Sequence, residues 1–236
     1  MNLQEVMSEL ESFGSPQTVK IYRNHGAHGD MFGVKVGDLK KILKRIKGDQ
    51  VLAMELWETR NSDAMYLAAL VADGAKMTKQ QLDRWAKSAW WYMLSEYSVP
   101  FVAAEHPDAC KLALKWMAAK NESVSSSGWA TYASVVSIRP DDALDLDEIK
   151  GLLEQVRTTI QAEVRDRVRG AMNHFVISVG GYVKPLLKDA KRVAKSIGKV
   201  EVDMGNTSCK VPVATDYIAK LESTGRIGKK RKSAKC

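Results

Sequence analysis

Four aromatic residues fall within eight positions, at Trp90, Trp91, Tyr92 and Tyr97. An indole on a groove can meet a nucleobase or a deoxyribose through CH–π or cation–π attraction, on the order of 1 kcal/mol. Helical neighbours diverge by about 100°, so Trp90 and Trp91 cannot face the same way. One is expected in the core and the other toward a groove; the competing reading packs both inside. Arg165, Arg169 and Asn173 recur at intervals of four. That spacing puts them on one helix face, where they could track a phosphate backbone. The competing reading is a solvated face paired with Glu163 and Asp166, worth little energetically.

Other basic residues repeat the theme. Lys40 and Lys44 share a helix with Lys41, Arg45 and Lys47. Lys188 and Arg192 belong to a one-sided stripe from Lys184 to Lys195, and Lys229, Lys230 and Arg231 form a compact cluster near the end. Such residues attract phosphates without regard to sequence and in a salt-sensitive way. His25 and His28 lie in a loop with no Cys or acidic cluster to complete a metal site, so a metal is rejected. His174 has no partner at motif spacing and reads as an ordinary core or surface histidine. No phosphate-binding glycine loop, Ser/His/Asp set or zinc-ligand pairing occurs. No cofactor is called for, and motifs alone specify no enzyme.

The elements that carry these residues read as short amphipathic helices. Ser15-Pro16 starts one, and the stripe Leu39, Ile42, Leu43, Ile46 marks another that Gly48 ends. Asn61 or Ser62 caps a helix through Val71, and Thr78 with Gln81 makes a capping box. Asp141-Asp142, Asp147 and Thr159 are further expected starts. Residues 200–211 alternate about Gly205-Asn206 and predict a small β-hairpin. Leu52 aligns with Leu112 at an offset of 60, bringing Leu56 onto Trp116 and Asn61 onto Asn121. A period of about 40 suggests HEAT-like helical pairs, so 60 would fit three helices, or one and a half pairs. The competing fold is an irregular helical bundle. The expected organisation is one helical-repeat domain over residues 1–225 and a basic, flexible tail over 226–236.

Composition agrees with a packed helical chain of 236 residues, 45% of them hydrophobic and 27% charged. No run approaches the roughly 18 apolar residues of a membrane helix. The N-terminus lacks the features of a secretory signal. Cys110, Cys209 and Cys236 read as reduced thiols, and the expectation is a soluble cytoplasmic monomer. From Lys184 onward there are 14 Lys and Arg against 5 Asp and Glu; residues 1–183 hold 22 against 23. The whole net charge of +8 therefore sits in the last part of the chain, which favours a polyanionic partner.

Phe32-Gly33-Val34 before a basic helix, Leu56-Trp57, Trp90-Trp91, Val99-Pro100, His106-Pro107, Lys115-Trp116 and Asn121 together resemble the AlkD-type DNA alkylation-repair proteins. The likeness runs over most of residues 20–180. It implies an all-α, HEAT-like helical-repeat superhelix that cradles duplex DNA, alkylated or branched. Active members excise purines alkylated at N3 or N7 without flipping the base. In them an aspartate four residues after the second tryptophan stabilises the developing oxocarbenium ion, as a carboxylate near growing positive charge should. The likeness makes Trp91 the catalytic tryptophan. The aspartate's place is taken by Ser95, with Glu96 one position late. If the stretch from Trp91 to Pro100 holds an extra residue, local distortion could bring Glu96 to the acidic position. The family's arginine falls at Gly128 or Trp129, and its later tryptophan at about Met172 or Asn173. Three readings stay open: a glycosylase acting through Glu96, a non-catalytic binder of damaged or branched DNA, and a scaffold for protein partners.

Overall fold

The computed structural model describes residues 1–235. Thirteen α-helices follow in order: α1 (Leu3–Phe13), α2 (Pro16–Asn24), α3 (Val36–Ile46), α4 (Gln50–Glu58), α5 (Ser62–Val71), α6 (Lys79–Ser88), α7 (Val99–Ala103), α8 (Ala109–Met117), α9 (Glu122–Ile138), α10 (Leu146–Thr159), α11 (Asp166–Tyr182), α12 (Leu187–Ile197) and α13 (Ala214–Ser223). A π-helical turn, Leu94–Ser98, leads directly into α7.

Local chemistry sets the starts. Ser15 accepts from the Thr18 N–H ahead of Pro16, and Thr78 and Gln81 satisfy each other's backbone N–H groups at α6. Asn61 caps α5 and Asn121 caps α9, each through its side-chain oxygen. These caps satisfy donors that a helix cannot satisfy internally.

The helices pack as pairs in two rows. In one row α5, the π-turn with α7, α9, α11 and α13 touch in succession; α4, α8, α10 and α12 pack alongside their partners. Burial explains the sorting. Every residue of α5 is buried, as are most of α9 and α11, the pattern of helices covered on all sides. The α3 and α12 helices bury only one apolar stripe. Stacking is tight: the Trp57 and Trp85 rings lie nearly parallel with centroids 3.9 Å apart. Adjacent pairs are also tied by polar contacts, since Asp83 on α6 accepts from Lys115 and from the Trp116 indole on α8 at 2.6 and 2.7 Å.

The internal repeat is real but spans more than expected. Asn61 and Asn121 both cap helices, and the offset of 60 carries α4–α5 onto α8–α9. It therefore spans two helical pairs of about 30 residues each. Thr159 ends α10 instead of starting a helix, and Asp145 is the cap that starts it.

The expected hairpin over residues 200–211 does not form, and no strand occurs among the described residues. The segment is extended, but its backbone finds partners elsewhere. The Asn206 N–H donates to Asn24 O at 2.8 Å, and Asn173 Nδ2 donates to Pro212 O at 3.0 Å. Alternating side chains suit a chain laid over helices as well as one paired in a sheet.

After α13 the chain doubles back. Gly228 N–H donates to Gly181 O, Arg231 N–H to Ser137 O, Lys230 Nζ to Val136 O and Lys235 Nζ to Ala72 O. These carbonyls close α11, α9 and α5, where helix dipoles favour cations. Ala234 is buried against Ala104, Ala109 and Val135. Cys236 lies outside the described residues.

Candidate nucleic-acid interface

The aromatic cluster is built where α6 ends. Trp91 is 7% exposed and its indole donates to Ser62 Oγ at 2.9 Å. Its ring lies against Tyr22 and Tyr92, 5.5 and 5.3 Å between centroids. Trp90 is half-buried, stacked beside Trp91 and edged by His28 at 5.1 Å. The two indoles thus differ in burial, with Trp90 the more accessible. The loop carrying His28 is held in place by Asp63. Its carboxylate accepts from the N–H groups of Phe32, Gly33 and Val34 at 2.7, 3.0 and 3.0 Å. A lone carboxylate inside the apolar run of α5 was the available signal for this anchor, and sequence reasoning passed over it.

Beyond Trp91 the helix widens. The Val99 N–H reaches back five residues to Leu94 O, the mark of one inserted residue. Ser95 is turned into the protein, 2% exposed, with its hydroxyl 3.4 Å from Ser126 Oγ. Glu96 points toward α11, where Arg167 grips both carboxylate oxygens through Nε and Nη2 at 2.7 and 2.6 Å. The side chains are 12% and 23% exposed. The guanidinium also lies over the Tyr92 ring at 4.4 Å, a cation–π contact. Burial pushes the Glu96 carboxyl above its ordinary value, while Arg167's hydrogen bonds and charge pull it back. Burial works against the charged guanidinium, and Glu96 more than restores it. Glu122 accepts the Arg167 backbone N–H at 2.9 Å, which fixes where α11 begins relative to α9. Arg167 stood unremarked between two basic neighbours in the sequence; its partner lies 71 positions away.

The other expected contacts divide. Arg165 pairs with Glu163 and donates to Ala119 O at 2.8 Å and Lys120 O at 3.2 Å, bracing the turn between α8 and α9. Arg169 pairs with Asp166. Asn173 is 1% exposed. The structure therefore holds these three side chains in internal contacts. Lys40 and Lys44 are exposed on α3, and Lys188 on α12. Arg192 is exposed but shared with Glu154 and Asp189 at 3.7 and 3.6 Å. Lys229 and Arg231 are exposed; Lys230 pairs with Asp141 at 2.8 Å. At the position of the family's arginine, Gly128 lets α9 approach α8 so closely that a Cβ would lie 2.5 Å from Met117 N, and Trp129 is 1% exposed. Met172, at the place of the family's later tryptophan, is 3% exposed.

Among the described residues no group of three or more His, Cys, Asp or Glu is placed to hold a metal, and no helix is long and apolar enough to cross a membrane.

A family model described as DNA alkylation repair enzyme matches residues 6–195. The Listeria innocua protein Lin0241 is 37% identical over 229 residues, covering 94% of this chain and 98% of its own. Lmo0209 of Listeria monocytogenes is 36% identical with the same coverage. A solved structure matches with a TM-score of 0.91 and 40% identity over 100% of both chains. It represents a family of proteins related to the HEAT-like repeat DNA glycosylases with affinity for branched DNA structures.

Proposed function

The chain belongs to the DNA alkylation repair enzyme family, and we propose that it uses the family's helical array to bind branched DNA without excising bases. The bidentate grip of Arg167 on Glu96 carries this reading. Excision of an alkylpurine builds positive charge on the sugar, which a free carboxylate would stabilise. Here the carboxylate is already neutralised, and a guanidinium beside it repels a developing cation. Ser95, in the expected place, is neutral and buried. The affinity for branched DNA reported of the solved relative fits a scaffold that keeps its binding face without the excision chemistry.

In this reading the exposed Lys40, Lys44, Lys188 and Lys229 meet phosphates, and Trp90 meets a sugar or base. Trp91 supports Trp90 from below. Arg192 and Arg231 add long-range attraction, and Lys230 braces the C-terminal segment. The protein acts as a cytoplasmic monomer. The test combines junction binding with assay of alkylated DNA for released 7-methylguanine. Binding without release supports the proposal, and enzyme-dependent release overturns it.

The π-turn favours a second reading, excision through Glu96, because the inserted residue re-aims that side chain. It requires Arg167 to let go. The same assay separates the two: release that Glu96→Gln abolishes would establish it.

A further inference from the structure

Past the Glu96–Arg167 pair the surface deepens into a cleft of about 310 Å³. Its floor is α11, which contributes Gly170, Asn173 and His174. The 204–212 segment lines it on one side, and Tyr217 of α13 lies on its border. Nothing in the DNA-binding reading uses this space.

Four observations describe what it fits. The volume is at the small end for organic ligands, enough for a single nucleotide and far too little for a duplex. The lining is cationic: Lys210 and Arg226 are exposed and in no ion pair among the described residues, and the acid Glu96 is neutralised by Arg167. Aromatic surface is present, since Tyr97 and Tyr217 are 42% and 44% exposed. Finally, Asn173 is buried and donates to Pro212 O, yet its Oδ1 accepts from nothing. A buried acceptor without a donor is costly, and it offers a ready partner for an amino or imino group. Gly170 keeps the floor open; a Cβ there would meet only Val202, at 3.7 Å.

We propose that this cleft receives one unstacked nucleotide of the bound DNA. The base lies against a tyrosine ring with a donor edge toward Asn173, and the phosphate lies toward Lys210 and Arg226. The proposal rests on the DNA-binding reading and adds a source for its branch preference. Extruding a nucleotide from a duplex costs stacking and pairing, and least where these are already weakened. A branch point is such a place, so the cleft selects it.

The test is a four-way junction with 2-aminopurine at the branch and a fluorophore at the far end of one arm. Anisotropy of the distal fluorophore reads binding; 2-aminopurine emission rises when the base leaves the stack. Wild-type protein is expected to bind and to raise the emission. Gly170→Leu fills the cleft with a better helix former, and Tyr217→Ala removes an exposed ring. Both are expected still to bind the junction, with affinity falling toward that of duplex DNA, and at saturating protein to lose most of the rise. A bound junction with flat emission overturns the cleft proposal alone, as does an undiminished rise in both variants. Absence of junction binding by wild-type protein overturns the DNA-binding reading, and the cleft proposal falls with it. If Gly170→Leu fails to fold, Tyr217→Ala decides.

Discussion

Arg167 on α11 holds both carboxylate oxygens of Glu96, at 2.7 and 2.6 Å, across 71 positions of sequence. The pair joins the π-turn to a helix two repeats onward. It neutralises the acidic group that follows Ser95, and it ties together helices of two repeats.

Removing one member of this pair strands the other. Arg167→Ala leaves a carboxylate in a poorly solvated place and is expected to cost about 3 kcal/mol in urea unfolding. Glu96→Gln with Arg167→Met is expected to recover a large part of that loss. A double variant as unstable as Arg167→Ala would show that the pair's charge is not the issue.

Asp83 links α6 to α8, and its titration predicts an acid dependence. Burial disfavours its charged form, but Lys115 and the Trp116 indole outweigh burial and hold the carboxyl below its ordinary value. A depressed carboxylate stabilises the fold above its unfolded value, near 4, and that contribution fades as pH falls through the folded value. Asp83→Asn should therefore cost about 1 kcal/mol at pH 7, with wild type and variant converging as pH falls below the depressed folded value. A gap in stability that is constant across this range would contradict the assignment.

The repeated caps should behave alike. Asn61→Ala and Asn121→Ala each remove a side-chain acceptor at a helix start. Each is expected to cost about 1 kcal/mol by thermal unfolding. Asn121→Ala should leave DNA affinity unchanged, because the side-chain oxygen is already engaged by the Val124 N–H.

Phosphate contacts can be counted by salt. Replacing Lys40, Lys44 or Lys188 with Ala should weaken junction binding and reduce the slope of log K against log salt by about 1 each. Arg165→Ala should instead lower stability, since Arg165 braces the turn between α8 and α9. A reduced slope for Arg165→Ala would return it to the DNA face.

The helix starts at Ser15, Asn61 and Thr78, the asparagine repeat and the family likeness were legible in the sequence because caps and periodic apolar residues act locally; the starts expected at Asp147 and Thr159 were not found. Spacing placed Arg165, Arg169 and Asn173 on one helix face but could not say which way that face turns; most of α11 is buried. The alternation of residues 200–211 marked an extended chain correctly and its pairing wrongly, since period two does not specify a partner. The extra residue after Trp91 was readable as a count and becomes the π-turn. The Arg167 grip was not readable, because nothing local records a contact between repeats.

The most direct measurement compares equilibrium binding of a four-way junction and a duplex of the same sequence at one salt concentration. The account predicts that the junction binds at least about tenfold tighter, roughly 1.4 kcal/mol. Equal affinity for the two would contradict it.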